Sequence, residues 1–176
     1  IIHRDLKPAN ILVDSEGVPK SMDFGIAKDV SFDKSKLTQT GTIIGTPYYM
    51  SPEQIHGDAV DKRSDIYSLG VIMYEALTRQ LPFQAATEFD LFNKILNEDP
   101  VPPTKLDDKI EEEFSIISLY ALQKDPRDRY QSAADFAEDI QNALEGKPIK
   151  ARAVSTVTLV FRRFKKNKLL VGSVIA

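Results

Sequence analysis

His3-Arg4-Asp5-Leu6-Lys7-Pro8-Ala9-Asn10 is followed, after twelve further residues, by Asp23-Phe24-Gly25. The intervening residues read as a hairpin, because Ile11-Leu12-Val13 and Val18-Pro19-Lys20-Ser21-Met22 flank Asp14-Ser15-Glu16-Gly17, whose Asp and Gly are turn formers. Such a strand pair holds the two polar runs side by side. Asp5 and Asn10 are five positions apart, close enough for one loop to offer both side chains to one pocket, and Pro8 stiffens that loop. Each Asp or Asn taken singly is an ordinary turn former; the weight rests on their joint occurrence.

From Asp23 to Glu53 the chain is rich in Thr, Gly, Ser and Lys, and Gly41, Gly45 and Pro47 break any period, so the stretch reads as one long loop. Loops of that length in a compact domain usually carry function. Helices follow. Ser64 reads as the N-cap of a helix over 65–78, and Ile66, Leu69, Val71, Ile72, Met73, Tyr74, Ala76 and Leu77 leave it so little polar face that it belongs in the core. A second helix is predicted over 88–96, with Phe89, Phe92, Ile95 and Leu96 on one side, and Pro100, Pro102 and Pro103 then enforce an extended link. Ile110, Phe114, Ile117 and Ala121 mark a third helix, and Phe136, Ile140 and Leu144 a fourth capped by Ser132. No internal repeat or low-complexity tract interrupts this order.

The two opening runs, together with Gly45-Thr46-Pro47-Tyr48-Tyr49-Met50-Ser51-Pro52-Glu53, resemble the catalytic loop, metal-binding loop and activation-segment end of the protein kinases. The resemblance covers about Ile1 to Leu144 and is to the C-terminal lobe of a eukaryotic-like Ser/Thr protein kinase, in the style of the bacterial transmembrane enzymes. It implies a mainly α lobe with a small β-hairpin, part of an α+β two-lobed fold, and transfer of the ATP γ-phosphate to protein Ser/Thr hydroxyls. In that reading Asp5 accepts or orients the proton of the substrate hydroxyl, and Lys7 is the cation near the moving phosphate. Asn10 and Asp23 hold Mg2+ through oxygen, as a hard ion requires. Lys7, Asn10 and Asp23 thereby also bind the nucleotide.

The resemblance assigns further residues. Thr46 sits beside the substrate site and, with Lys7, favours Ser/Thr over Tyr substrates. Leu37-Thr38-Gln39-Thr40 looks like a double-threonine activation loop, which favours Thr38 and Thr40 over Thr42 as phosphate acceptors, with Arg4 as the guanidinium that would pair with the added phosphate. Glu53 matches the glutamate of the Ala-Pro-Glu motif, here Ser51-Pro52-Glu53, and Arg129 its ion-pair partner. Asp65 is expected to accept backbone hydrogen bonds from the catalytic loop. His3 reads as a packed histidine, His56 as a surface residue, and Tyr48 and Tyr49 as groove and packing residues. The family's glycine-rich loop, strand lysine and helix glutamate do not occur in these 176 residues. The chain also opens without an initiator Met and ends inside an apolar run, so it is expected to be a fragment cut at both ends and inactive alone.

Composition bounds the rest. With 42% hydrophobic and 28% charged residues the chain has ordinary globular composition, and with no cysteine it has neither disulfides nor thiolate metal sites. The net charge of -3 conceals an asymmetry: all 26 acidic residues and 15 of the 23 basic ones lie at or before Glu145, leaving eight cations and no acid beyond it. Confinement of those cations to a tail beyond the last predicted helix argues against nucleic acid as partner. They precede Leu169-Leu170-Val171-Gly172-Ser173-Val174-Ile175-Ala176, so 145–168 reads as a basic juxtamembrane linker and 169–176 as the start of a truncated transmembrane helix, with the 1–144 lobe cytoplasmic. Expected partners are ATP, Ser/Thr-bearing proteins, the membrane and a second copy in a homodimer for trans-autophosphorylation. Two other readings compete: a pseudokinase or scaffold, which has no need of metal ligands, and a small-molecule phosphotransferase, which has no need of a Thr-rich activation segment.

Overall fold

The computed structural model describes residues 1–23 and 47–151. Strand β1 (Ile11–Val13) pairs antiparallel with β2 (Pro19–Ser21), Ile11 opposite Ser21, Leu12 opposite Lys20 and Val13 opposite Pro19. Asp14 closes the turn by accepting the backbone N–H groups of Glu16 and Val18 at 3.0 and 2.9 Å, while Gly17 takes the left-handed φ of 80° that a glycine adopts without strain. The expected hairpin therefore forms.

Among the described residues six α-helices follow: α1 (Pro52–His56), α2 (Lys62–Thr78), α3 (Glu88–Asn97), α4 (Pro103–Leu106), α5 (Glu112–Ala121) and α6 (Ala133–Leu144). The chain is thus the mainly helical lobe with a two-stranded hairpin that the sequence implied. Helix α2 runs through its centre, packed chiefly on α5 and also touching α4, α6 and the 3₁₀ turn Pro47–Tyr49. One side of α2 gives Tyr67, Val71 and Tyr74 to a core with Phe83, Leu91, Phe92 and Ile95. The other side gives Ile66 to a core with Ile117, Ala121, Tyr130, Phe136 and Ala143. Burying an aliphatic or aromatic side chain of this kind contributes about 1.5–3 kcal/mol, so α2 is stabilised from two directions. Gly70 lets α2 and α5 approach closely: a Cβ there would lie 2.7 Å from the Ala121 Cβ.

Several predicted boundaries and faces are corrected. Helix α2 begins at Lys62, because Asp61 caps it by accepting the Arg63 N–H at 2.8 Å, and Ser64 lies buried within the first turn. Phe89 is 73% exposed, since the inward face of α3 is centred on Leu91, Phe92 and Ile95. Leu144 is 67% exposed, and Ala143 occupies the inward position in its place. Ile110 precedes α5 instead of lying within it, and Pro103 starts the short α4 where an extended link was expected, a first-turn position that suits proline.

After α6 the chain turns at Gly146 and folds back onto the helix. The fully buried Asp139 carboxylate accepts the backbone N–H groups of Lys150 and Ala151, each at 2.7 Å, and the Tyr130 hydroxyl at 2.9 Å. These contacts fasten Lys150 and Ala151 to α6. Among the described residues no helix is long and apolar enough to cross a membrane, and 152–176, which include most of the expected 145–168 linker and the whole of the apolar segment, lie outside them.

Candidate active site

Three of the residues singled out in the sequence meet in one cluster. The Lys7 Nζ donates to Asp5 Oδ2 at 2.9 Å, and the Asn10 Nδ2 donates both to the Asp5 carbonyl at 2.8 Å and to Asp5 Oδ2 at 3.2 Å. Pro8–Asn10 form a 3₁₀ turn, closed by the Asn10 N–H on the Lys7 carbonyl, and this turn brings Asn10 back under Asp5. Asn10 is buried, whereas Asp5 and Lys7 stay partly open to solvent. With its amide nitrogen committed to Asp5, the Asn10 carboxamide oxygen faces the other way.

Asp23 reaches this neighbourhood through Met22. The Met22 N–H donates to the Asn10 carbonyl at 2.8 Å, and the Met22 carbonyl accepts from His3 Nε2 at 2.8 Å. The residue before Asp23 is thereby tied on both sides to the loop that carries Asp5, an extension of the β1–β2 ladder beyond the strands. Asp23 itself is exposed and has a left-handed φ of 54°. His3 is buried, and its Nδ1 accepts the Asp5 N–H at 3.4 Å, so it packs within the loop.

The helical half holds the loop from beneath. Asp65, in the first turn of α2, accepts the His3 N–H at 2.8 Å on Oδ2 and the Arg4 N–H at 2.9 Å on Oδ1. Arg4 has a left-handed φ of 66°, which costs a non-glycine residue about 1 kcal/mol or more, and its side chain is exposed. Gln54 of α1 donates from Nε2 to the Arg4 carbonyl at 2.8 Å. Sequence reading passed over Gln54, although Ser51-x-x-Gln54 is a readable capping-box pattern.

Glu53 and Arg129 form a buried two-pronged pair, with Nη1 to Oε1 and Nη2 to Oε2 both 2.7 Å. The remaining guanidinium N–H groups reach the carbonyls of Gln123, Arg63 and Lys124, and the Ser64 hydroxyl donates to Glu53. Burial alone would raise the Glu53 pKa, but the Arg129 guanidinium outweighs it and the net shift is downward. The turn at Pro47–Tyr49 docks on α2 through Ser68, which donates to the Tyr49 carbonyl at 2.8 Å, and through the Tyr49 hydroxyl, which donates to Glu75 at 2.7 Å. Burial and the Glu75 carboxylate both push the Tyr49 pKa up. Phe24, Gly25, Thr38, Thr40, Thr42 and Thr46 lie outside the described residues.

The protein kinase domain model matches residues 1–143. The chain belongs to the protein kinase family. It is 42% identical over 156 residues to the serine/threonine-protein kinase PknB of Mycobacterium tuberculosis strain H37Rv, an alignment that takes in 89% of this chain and 25% of that protein. It is 44% identical over 156 residues to PknB of Mycobacterium leprae, with the same coverage. A probable serine/threonine-protein kinase of Streptomyces coelicolor is 44% identical over 153 residues, 87% of this chain and 23% of that protein. The chain thus spans about a quarter of the length of the curated relatives it matches, and its family assignment is to the serine/threonine-protein kinases.

ATP and Mg2+ are general to this family, and the donor set here suits them. Asn10 and Asp23 offer hard oxygen ligands, and among the described residues no cluster of three or more His, Cys, Asp or Glu forms an all-protein metal cage. Mg2+ is commonly held by one or two protein oxygens of this hard type together with substrate phosphates.

Proposed function

We propose that the full-length protein transfers the γ-phosphate of ATP to Ser/Thr hydroxyls of other proteins, with Asp5, Lys7, Asn10 and Asp23 as the site. The observation that carries this reading is the convergence of Lys7 Nζ and Asn10 Nδ2 on the single oxygen Oδ2 of Asp5. A carboxylate held at the mouth of a loop by a cation and an amide is oriented without being buried, as a group that receives a hydroxyl proton needs to be. Asn10 and Asp23 would hold the metal. Mg·ATP, when bound, supplies the phosphoryl group and the charge that neutralises it. Lys7, adjacent to Asp5, adds positive charge where negative charge develops on the transferred group.

Thr38 and Thr40 are the proposed sites of activation-loop phosphorylation, and Thr46 the proposed substrate-side hydroxyl. The solvent-exposed Arg4 is accessible to a phosphate on that segment. The full-length protein is also proposed to be membrane-anchored, on the strength of eight cations ahead of an apolar run in the sequence. Fractionation of cells expressing it should recover it with the membranes; recovery wholly in the soluble fraction rejects the anchor.

Phosphate incorporation from labelled ATP into a Ser/Thr-bearing protein tests the activity in the full-length protein. Asp5→Asn and Asp23→Ala should each abolish it while keeping the melting temperature. Near-normal turnover in either variant refutes the assignment of these residues.

A further inference from the structure

We infer that Gln54 is a positioning residue for Asp5, acting through the Arg4–Asp5 peptide; the inference rests on the proposed role of Asp5 and adds a residue to it. The peptide plane joining Arg4 to Asp5 carries the Arg4 carbonyl on one side and the Asp5 N–H on the other. Gln54 Nε2 holds the carbonyl at 2.8 Å, and His3 Nδ1 receives the N–H at 3.4 Å. Rotation of this plane swings the Asp5 Cα and its carboxylate together. The plane is set in a left-handed turn, with Arg4 φ at 66°, a conformation that a non-glycine residue keeps only when its surroundings hold it. Asp65 fixes the N–H of Arg4 from α2, and Gln54 fixes its C=O from α1, so Arg4 is gripped at both peptide groups by two separate helices.

The orientation of the Gln54 amide is determined by its neighbours. Its Oε1 accepts the Ser51 N–H at 3.0 Å and the Ser51 hydroxyl at 3.1 Å, which leaves Nε2 to face the Arg4 carbonyl. One carboxamide therefore performs two tasks: its oxygen caps the start of α1, and its nitrogen steadies the loop of Asp5. Only Met50 separates Ser51 from the Pro47–Tyr49 turn that Ser68 and Glu75 dock onto α2. Through Gln54, the position of that turn is transmitted to the peptide that carries Asp5.

The two tasks separate under one substitution. A glutamate is as good a capping-box acceptor as a glutamine, but an ionised carboxylate has no hydrogen to give a carbonyl. In the full-length protein, Gln54→Glu should keep the melting temperature within about 2 °C and lower kcat about ten- to a hundredfold, the range for displacement of a reacting group by a fraction of an ångström to one ångström. KM for ATP should stay within about twofold, because Asn10 and Asp23 are untouched. Ser132→Ala, which removes the N-cap of α6 and has no bond to the loop, is the stability control: it should lower the melting temperature and leave kcat alone. Wild-type kcat in Gln54→Glu overturns the inference, as does a kcat loss that merely tracks melting temperature in both variants. Absence of phosphate transfer by the wild-type protein would instead strike at the proposed activity itself.

Discussion

From Ile1 to Asp23 the chain buries only His3 and Asn10, whereas α2 alone buries Ser64, Ile66, Tyr67, Ser68, Gly70, Val71 and Tyr74. The first region holds its shape with hydrogen bonds to backbone atoms: Asp65 on His3 and Arg4, Gln54 on Arg4, Asn10 on Asp5, and Met22 tied to Asn10 and His3. The second holds its shape by exclusion of water. The difference follows from what each must do. On the proposed function, groups that meet a nucleotide and a protein hydroxyl have to stay reachable, so a loop that carries them is held by oriented polar contacts from a packed neighbour and not by packing of its own. Asp65 and Gln54 both stand on helices of the packed half, and both reach across to the same residue, Arg4.

That comparison breaks most visibly if activity and stability fail to separate. Asp5→Asn in the full-length protein should cost about 10²–10⁴-fold in turnover, the usual contribution of a positioned acid–base group, and change unfolding free energy by no more than about 0.5 kcal/mol. Parallel assays of phosphate incorporation and urea unfolding measure both. A variant that loses stability in step with turnover would mean that Asp5 belongs to the packed half after all.

The opposite outcome is expected at the buried pair. Arg129→Ala removes every donor that the guanidinium gives to Glu53, Gln123, Arg63 and Lys124 and strands a carboxylate in the interior, at a cost of about 3–5 kcal/mol. Urea unfolding of a polypeptide containing residues 1–151 would measure it. A loss below about 1 kcal/mol would show that water reaches Glu53 freely once Arg129 is gone.

The same contrast explains what the sequence made legible. The hairpin and the four longer helices are local: turn chemistry and apolar period encode them, whereas the short α1 and α4 are too brief for a period to show. The ends and faces of helices depend on competition that one sequence does not resolve. Asp61 and Ser64 are both good caps, and the upstream one prevails because Ser64 bonds to Glu53, eleven residues earlier in the chain. Phe89 satisfies the spacing rule with Phe92, yet the face that joins the core of Tyr67, Val71 and Tyr74 is set by Leu91 and Ile95, a tertiary matter. Asp139 reads as a solvated charge on an amphipathic helix, and is buried with Tyr130, Lys150 and Ala151 donating to it. At Gln54 the local signal tells half the story: Ser51-x-x-Gln54 announces a cap, but nothing in the pattern announces that its nitrogen will find a carbonyl fifty positions upstream.

The finest test concerns acid. Glu53 has its pKa lowered in the folded protein from an ordinary value near 4.5: desolvation opposes ionisation, and the Arg129 guanidinium and the Ser64 hydroxyl more than offset it. A carboxyl with a depressed folded-state pKa is bound by fewer protons in the native than in the unfolded state. Its contribution is therefore fully present above about pH 4.5 and lost as pH falls through the folded-state pKa. Glu53→Gln retains the shape of the side chain and removes the titration. The variant should be less stable than the wild type at pH 7, and the gap between them should narrow as the pH is lowered below about 4.5, because the protonated wild-type carboxyl comes to resemble the amide. Urea titrations of both proteins across pH 3 to 7 read the gap directly. A gap independent of pH would mean that the pair is held by shape and hydrogen bonds alone, and that its charges contribute nothing to joining the end of the activation segment to the helical half.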